Sequence, residues 1–256
     1  MGKFNNLEGK IALVVGASSG IGKGIVMALA EKSPKGIVLV ARRNLLLEKI
    51  ANEIENTYNI SPLIMQTDVT SEESLKKLID TTIQTYGRID IVVNSAGIIQ
   101  QEQKIADTPL ELTRLILHTN AIQALQLITL VSPYFEKQGS GIYITISSQA
   151  GTYAFYGEGA YCASKAAIDH GTRAIDNEFA KLREDKKEVY IFSIGPGFIN
   201  TEEARSKFPK ILESTWEKAQ TPEQFGKLVT EYLIEPSKKY SQGGPVHLIE
   251  TLRIDD

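Results

Sequence analysis

The sequence predicts an α/β fold: a doubly wound parallel sheet of about seven strands with helices on both faces, forming a single domain over residues 1–256. Three observations predict it. Short runs rich in β-branched residues alternate with longer amphipathic stretches, the pattern of strand–helix–strand units. The runs are almost uninterrupted in hydrophobicity, as in Ile-Ala-Leu-Val-Val, which marks strands buried on both faces. A glycine-rich turn stands directly between the first run and the first helical pattern.

The runs fall at Ile11 to Val15, Ile37 to Ala41, Leu63 to Gln66, Ile89 to Val93, Ile142 to Ile146 and Val189 to Ile194, with a short last strand at 245–249. Between them, Ile21, Ile25, Ala28 and Leu29 keep helical spacing, as do Leu47, Ile50, Ala51, Ile54 and Tyr58. A third helix carries Leu75, Leu78, Ile79 and Ile83, opened by Thr70 with Glu73 three residues on, which reads as a capping box. The segments from about Pro109 to Phe135 and from Gly159 onward are strongly apolar for helices. Residues 198–220 lack a strand pattern and carry Phe198, Phe208, Leu212 and Trp216, so they read as a substrate lid. A helix at about 222–234 follows. No repeat, low-complexity tract or linker divides the chain.

Composition removes several function classes. Lys and Arg total 28 against 31 Asp and Glu, giving a net charge of -3, so no basic field exists to collect nucleic acid or anionic lipid. One cysteine, Cys162, cannot form an intramolecular disulfide, and the first residues show no apolar leader core. No apolar run approaches the roughly 18 residues of a membrane span. A cytoplasmic protein without membrane or nucleic-acid partners is expected. His118, His170 and His247 have no ligand-type spacing, so no metal site is expected.

After the first run comes Gly16-Ala17-Ser18-Ser19-Gly20-Ile21-Gly22. Glycines allow the backbone to approach a pyrophosphate, while the amides and dipole at a helix N-terminus favour its charge, as in Rossmann-type dinucleotide folds. The same residues match G-x-S-x-G, the nucleophile elbow of α/β hydrolases with Ser18 as nucleophile, but no histidine-glycine oxyanion motif accompanies it. The second strand ends at Val40-Ala41 and is followed by Arg42-Arg43 instead of an acid. Guanidinium groups there suit the 2′-phosphate of NADP(H).

Tyr161 and Lys165 lie one helical turn apart on one face. A fixed ammonium beside a phenol favours phenolate and eases proton exchange. Ser147-Ser148 end the fifth run, and residues at the C-terminal ends of parallel strands face the ligand crevice. Other strand ends supply Asp68, Asn94-Ser95-Ala96-Gly97 and Gly195-Pro196-Gly197.

With these motifs in order, the chain resembles the short-chain dehydrogenase/reductase family over essentially its whole length. The family's Thr-Gly-x-x-x-Gly-x-Gly matches Gly16, Gly20 and Gly22, with Val15 in place of Thr. Its Asn-Asn-Ala-Gly is present as Asn94-Ser95-Ala96-Gly97, its active-site Asn as Asn120, its Ser as Ser148, and its Tyr-x-x-x-Lys as Tyr161 and Lys165. Pro196-Gly197 with Thr201 matches the nicotinamide-side motif. The C-terminal Asp-Gly-Gly is absent, Gly243-Gly244-Pro245 being nearest, and Ser19 replaces a frequent basic residue.

The resemblance implies hydride transfer between nicotinamide and a carbonyl or secondary alcohol. It assigns Tyr161 as general acid, Ser148 to the substrate oxygen, Lys165 to the ribose and to lowering the Tyr161 pKa, and Asn120 to a relay water. Asp68 and Val69 would flank adenine, Asn94, Ala96 and Gly97 the ribose region, and Ile199 and Thr201 the carboxamide. NADP(H) preference would rest on Arg42, with Arg43 in support and Ser18, Ser19 and Ile21 lining the turn. Gln149, Tyr153, Phe155, Tyr156, Phe198 and Trp216 would border a bulky apolar or aromatic substrate. Cys162 reads as packing. A homodimer or homotetramer is implied through the two long helices. An epimerase or dehydratase on the same scaffold, or a non-catalytic NADP(H)-binding regulator, are the alternatives.

Overall fold

The computed structural model describes residues 7–234 and 246–248. Seven parallel strands form one sheet in the order β3-β2-β1-β4-β5-β6-β7. They are β1 Ile11–Val15, β2 Gly36–Ala41, β3 Leu63–Gln66, β4 Ile91–Asn94, β5 Ser140–Ile146, β6 Glu188–Pro196 and β7 Val246–Leu248. The helices are α1 Gly20–Ala30, α2 Asn44–Tyr58, α3 Glu72–Tyr86, α4 Leu110–Leu117, α5 Gln123–Gln138, α6 Gly159–Glu184, α7 Glu202–Lys207, α8 Glu213–Lys218 and α9 Pro222–Ile234.

Strand side chains alternate between two apolar layers because successive residues point to opposite faces. Ala12, Val14, Ile37 and Leu39 pack under α1, α2 and α9 through Ile25, Leu29, Leu47, Ile54, Phe225 and Val229. Leu13, Val15, Val38 and Val40 pack on the other face with Leu75, Leu78, Val131, Phe135 and Phe179 of α3, α5 and α6. Burial on both faces explains why the strands read as unbroken apolar runs. The strand order reverses between β1 and β4, so a crevice opens above their C-terminal ends.

Four expectations change in detail. β4 starts at Ile91 because Ile89 is paired instead with the Gln138 side chain, its amide donating to Oε1 at 3.2 Å and its carbonyl accepting from Nε2 at 2.7 Å. The cap of α3 is Ser71, whose hydroxyl accepts from the Ser74 amide, while the Thr70 hydroxyl donates to Asp68 Oδ1 at 2.7 Å. Residues 198–220 form two short helices, α7 and α8, so Phe208 and Leu212 do not share one helix with Trp216. The apolar segment proves longer than its sequence suggests: Leu110–Gln138 is one helical body, long and apolar enough by composition to cross a membrane. It packs as a core helix, burying Ile116, Leu127, Ile128, Val131 and Phe135. Gly243-Gly244-Pro245 and the first six residues lie outside the described residues.

Candidate active site

The glycine turn is shaped by close backbone approach. Gly16 takes φ +82°, and a Cβ on Gly22 would lie 2.1 Å from the Gly16 carbonyl oxygen. The Gly16 and Ala17 amides donate to the Val40 carbonyl, fixing the turn against β2. Ser19 stands at the α1 N-cap, yet its side chain makes no cap hydrogen bond and no acid lies in the first turn, which leaves the helix start open to an anion. A Cβ on Gly20 would meet Thr201 Cγ2 at 3.3 Å, so the start of α7 borders the same crevice.

Of the two arginines expected at this edge, Arg43 is the one whose side chain hydrogen-bonds the turn. Arg43 reaches back over the turn: its Nη2 donates to Ser18 Oγ at 2.9 Å and Ser19 Oγ at 2.6 Å, and its Nε to Ser18 Oγ at 3.3 Å. Arg42 makes a backbone contact, its carbonyl accepting from Gln66 Nε2. Asp68 accepts from the Thr70 amide and hydroxyl, which hold its carboxyl below the ordinary value, and Val69 is buried.

On the other side of the crevice, α6 presents Tyr161 and Lys165 together, Lys165 Nζ lying 5.6 Å from the Tyr161 ring centroid. Lys165 Nζ donates to the Ile146 carbonyl at 2.9 Å. Tyr161 hydrogen-bonds Ser148, whose hydroxyl also accepts from the Ala150 amide. Ser148 is therefore the serine of the pair that joins Tyr161, and the Ser147 hydroxyl is buried without a partner.

The expected lowering of the Tyr161 pKa by Lys165 is not what the geometry gives. Burial pushes the phenol up to about 12, the Ser148 hydrogen bond pulling it down and Glu158 and Glu203 pushing it further up. Burial likewise pushes Lys165 down to about 8, against the opposing pull of Asp169 and Glu203. Desolvation outweighs the attraction because both groups sit in low dielectric.

Asn120 lies in a π-helical turn, His118–Ile122, between α4 and α5. Its Oδ1 accepts from the Ile98 amide at 2.8 Å, and its Nδ2 donates to the Ile98 carbonyl and Ser164 Oγ. Gly97 is pressed against it: a Cβ there would be 3.3 Å from Asn120 Oδ1 and 3.7 Å from Lys165 Nζ. Asn94 points away from the crevice into a buried network, donating to Gln123 Oε1 and Tyr143 Oη and accepting from the Ala96 amide. Its side chain positions the loop through the Ala96 amide.

Pro196 ends β6, Gly197 follows, and Ile199 bridges Gln220. Trp216 is buried and stacks on Phe198 at 4.4 Å, so these two rings pack together as a small core of the 198–220 segment, and Arg205 covers the indole while pairing with Glu213. Tyr153, Phe155 and Tyr156 are exposed on the loop before α6, following Gln149 of the short turn Gln149–Gly151. The residues missed in the sequence are Gln100, Glu158 and Glu203. Gln100 accepts from the Tyr161 amide and donates to the Gly157 carbonyl, while Glu203 accepts from the Ile99 amide at 3.0 Å. None of the three lies at a strand end or in a motif, so no local signal in the sequence marks them.

The chain matches the family model described as short chain dehydrogenase over residues 10–211. It is 30% identical over 199 residues to the NADP-dependent 3-hydroxy acid dehydrogenase of Schizosaccharomyces pombe, covering 78% of this chain and 75% of that protein. It is 34% identical over 232 residues to an uncharacterized oxidoreductase of Listeria monocytogenes, covering 91% of this chain and 88% of that one. A solved short-chain type dehydrogenase/reductase from Mycobacterium marinum aligns with a TM-score of 0.83 at 29% identity over 94% of each chain. Sequence match, strand order and the meeting of Ser148, Tyr161 and Lys165 agree: this chain belongs to the short-chain dehydrogenase family.

Proposed function

We propose that the protein is an NADP(H)-dependent oxidoreductase interconverting a bulky apolar or aromatic ketone and its secondary alcohol. The observation that carries this reading is the Tyr161 phenol hydrogen-bonded to Ser148, with Lys165 Nζ 5.6 Å from its ring and anchored on the last residue of β5. The residues fit a nicotinamide dinucleotide: Gly22 lets backbone come within a Cβ of Gly16, the α1 amides face the pyrophosphate position, and Arg43 stands ready at the turn with Ser18 and Ser19. When bound, that cofactor supplies or takes the hydride.

The chain's own work is proton supply and positioning. Tyr161 Oη, high in pKa, donates its proton to the substrate oxygen as negative charge develops there, and Ser148 Oγ holds that oxygen in line. Lys165, fixed by the Ile146 carbonyl, supplies positive charge for the ribose and for the phenolate left behind. Asn120 braces the loop at Ile98 and would position the relay water. The Schizosaccharomyces pombe relative's name makes 3-hydroxy acids a necessary part of any substrate panel. Exposed Leu115 and Ile122 support pairing of the long helices between subunits, which sedimentation tests, and a cytoplasmic location belongs to the same proposal.

Absorbance-monitored oxidation of NADPH and NADH over aromatic diketones, bulky ketones, quinones, 3-oxo acids and sugars tests the reading. Turnover is expected with NADPH ahead of NADH. Tyr161→Phe should lose about 10³-fold or more in kcat while still binding cofactor. Wild-type turnover that survives Tyr161→Phe would sink the assignment.

A further inference from the structure

Glu158 is the N-cap residue of α6, three residues before Tyr161, and its charge acts on the Tyr161 phenol. It is 9% exposed, its side chain does not cap the helix, and its carboxylate accepts no hydrogen bond within the described residues. Its oxygens are not among the described polar atoms that are buried without a partner, so the carboxylate of this nine-tenths buried residue still meets solvent and is open to a donor from outside the chain. Its residual exposure makes it reachable, unlike Asp169 Oδ2, which is buried without a partner deeper in α6.

Its surroundings carry the same sign. Glu102 packs against Gly157, where a Cβ would come 2.6 Å from Glu102 Cγ, and its charge adds to the burial that raises the Glu158 pKa. Glu203 lies across the crevice on α7, held by the Ile99 amide. The next residue of that loop, Gln100, holds both the Tyr161 amide and the Gly157 carbonyl, so one short strap ties the start of α6 to the loop carrying Glu102, while the charges of Glu158 and Glu203 both act on Tyr161. The nearby cations are engaged: Lys165 with the Ile146 carbonyl and Arg205 with Glu213. Exposed Tyr153, Phe155 and Tyr156 on the loop leading to Glu158 add aromatic faces, which attract cations.

We propose that the substrate carries a protonated amine that donates to Glu158 when its carbonyl or hydroxyl oxygen sits at Tyr161 and Ser148. Glu158 is then a specificity-determining residue, and Glu102 and Glu203 set the field that favours a cation and repels a carboxylate. This rests on the carbonyl-reduction reading above.

The test compares three acetophenones that differ only in a meta group: aminomethyl, methyl or carboxymethyl. With NADPH, kcat/KM for the amine is expected to exceed that for the methyl compound by about tenfold, with the carboxylate slowest. Glu158→Gln should reduce the amine advantage to under about threefold, and the exposed Glu102→Gln should reduce it in the same direction by less. Calorimetry with benzylamine and phenylacetate in the presence of NADP separates the amine site from turnover: benzylamine should bind more tightly than phenylacetate and lose about tenfold in Glu158→Gln. Circular dichroism verifies the folding of each variant, and Glu102→Gln decides the matter if Glu158→Gln fails to fold. Equal rates for the three ketones, or an amine preference untouched by the variant that folds, overturns the proposal. If no ketone is reduced, the oxidoreductase reading fails while weakened benzylamine binding still supports the amine site; unchanged benzylamine binding then overturns it as well.

Discussion

Replacing Arg43 by Ala separates cofactor choice from turn stability. The guanidinium is tethered by Ser18 and Ser19 at 2.6 to 3.3 Å, so its position over the turn is set before any phosphate arrives. Unit charges about 4 Å apart interact by about 4 kcal/mol at an effective dielectric constant of about 20. Arg43 is exposed, so solvent and salt reduce this to about 2 kcal/mol, or about 30-fold in kcat/KM. Arg43→Ala should therefore cut kcat/KM for NADPH about 30-fold and leave NADH within about threefold, whereas Arg42→Ala should change either by less than about threefold. Steady-state kinetics at low and high salt make the measurement, and the NADPH penalty should shrink as salt rises. A larger effect from Arg42→Ala would refute the reasoning. So would equal losses with both cofactors, which would make Arg43 a brace of the turn and not a reader of the phosphate.

Two further outcomes follow from the geometry. Ser71→Ala should lower stability to urea by about 1 kcal/mol, because its hydroxyl caps α3, and Thr70→Ala should cost less, since its hydroxyl serves only Asp68. Lys165 has its pKa lowered in the fold to about 8 from 10.5, so above about pH 8 the unfolded chain holds more protons than the folded one. Stability of the cofactor-free protein should thus rise by about 2 kcal/mol between pH 8 and 10 relative to Lys165→Met, a comparison in which both proteins carry Tyr161. Denaturant titrations at the two pH values check it, and parallel behaviour of the two proteins would show that Lys165 is not desolvated in the fold.

The legibility of the site follows from where each residue lies. Gly16, Ser148, Tyr161 and Lys165 were readable because a parallel sheet delivers its strand ends and the following helix starts to one edge, whatever the details of packing. Which of Arg42 and Arg43 reaches back over the turn was beyond sequence: adjacent residues on an extended chain point to opposite sides, and only the neighbouring elements decide which side is the crevice. Asn94 shows the same limit. Its place at a strand end suggested a ligand contact, and a buried Gln123 and Tyr143 took its side chain instead.

By itself the sequence determined the layered α/β fold, because uninterrupted β-branched runs between amphipathic helices have few stable arrangements other than a sheet covered on both faces. It determined the glycine turn and the Tyr161–Lys165 spacing, since both are local. Tertiary structure alone decided the electrostatics. The Tyr161 phenol rises and Lys165 falls through burial, which depends on every element packed around them. The action of Glu158 and Glu203 on Tyr161, with Glu102 acting on Glu158, was equally invisible, because a loop, a helix entry and α7, far apart in the chain, meet only once the strands are in order.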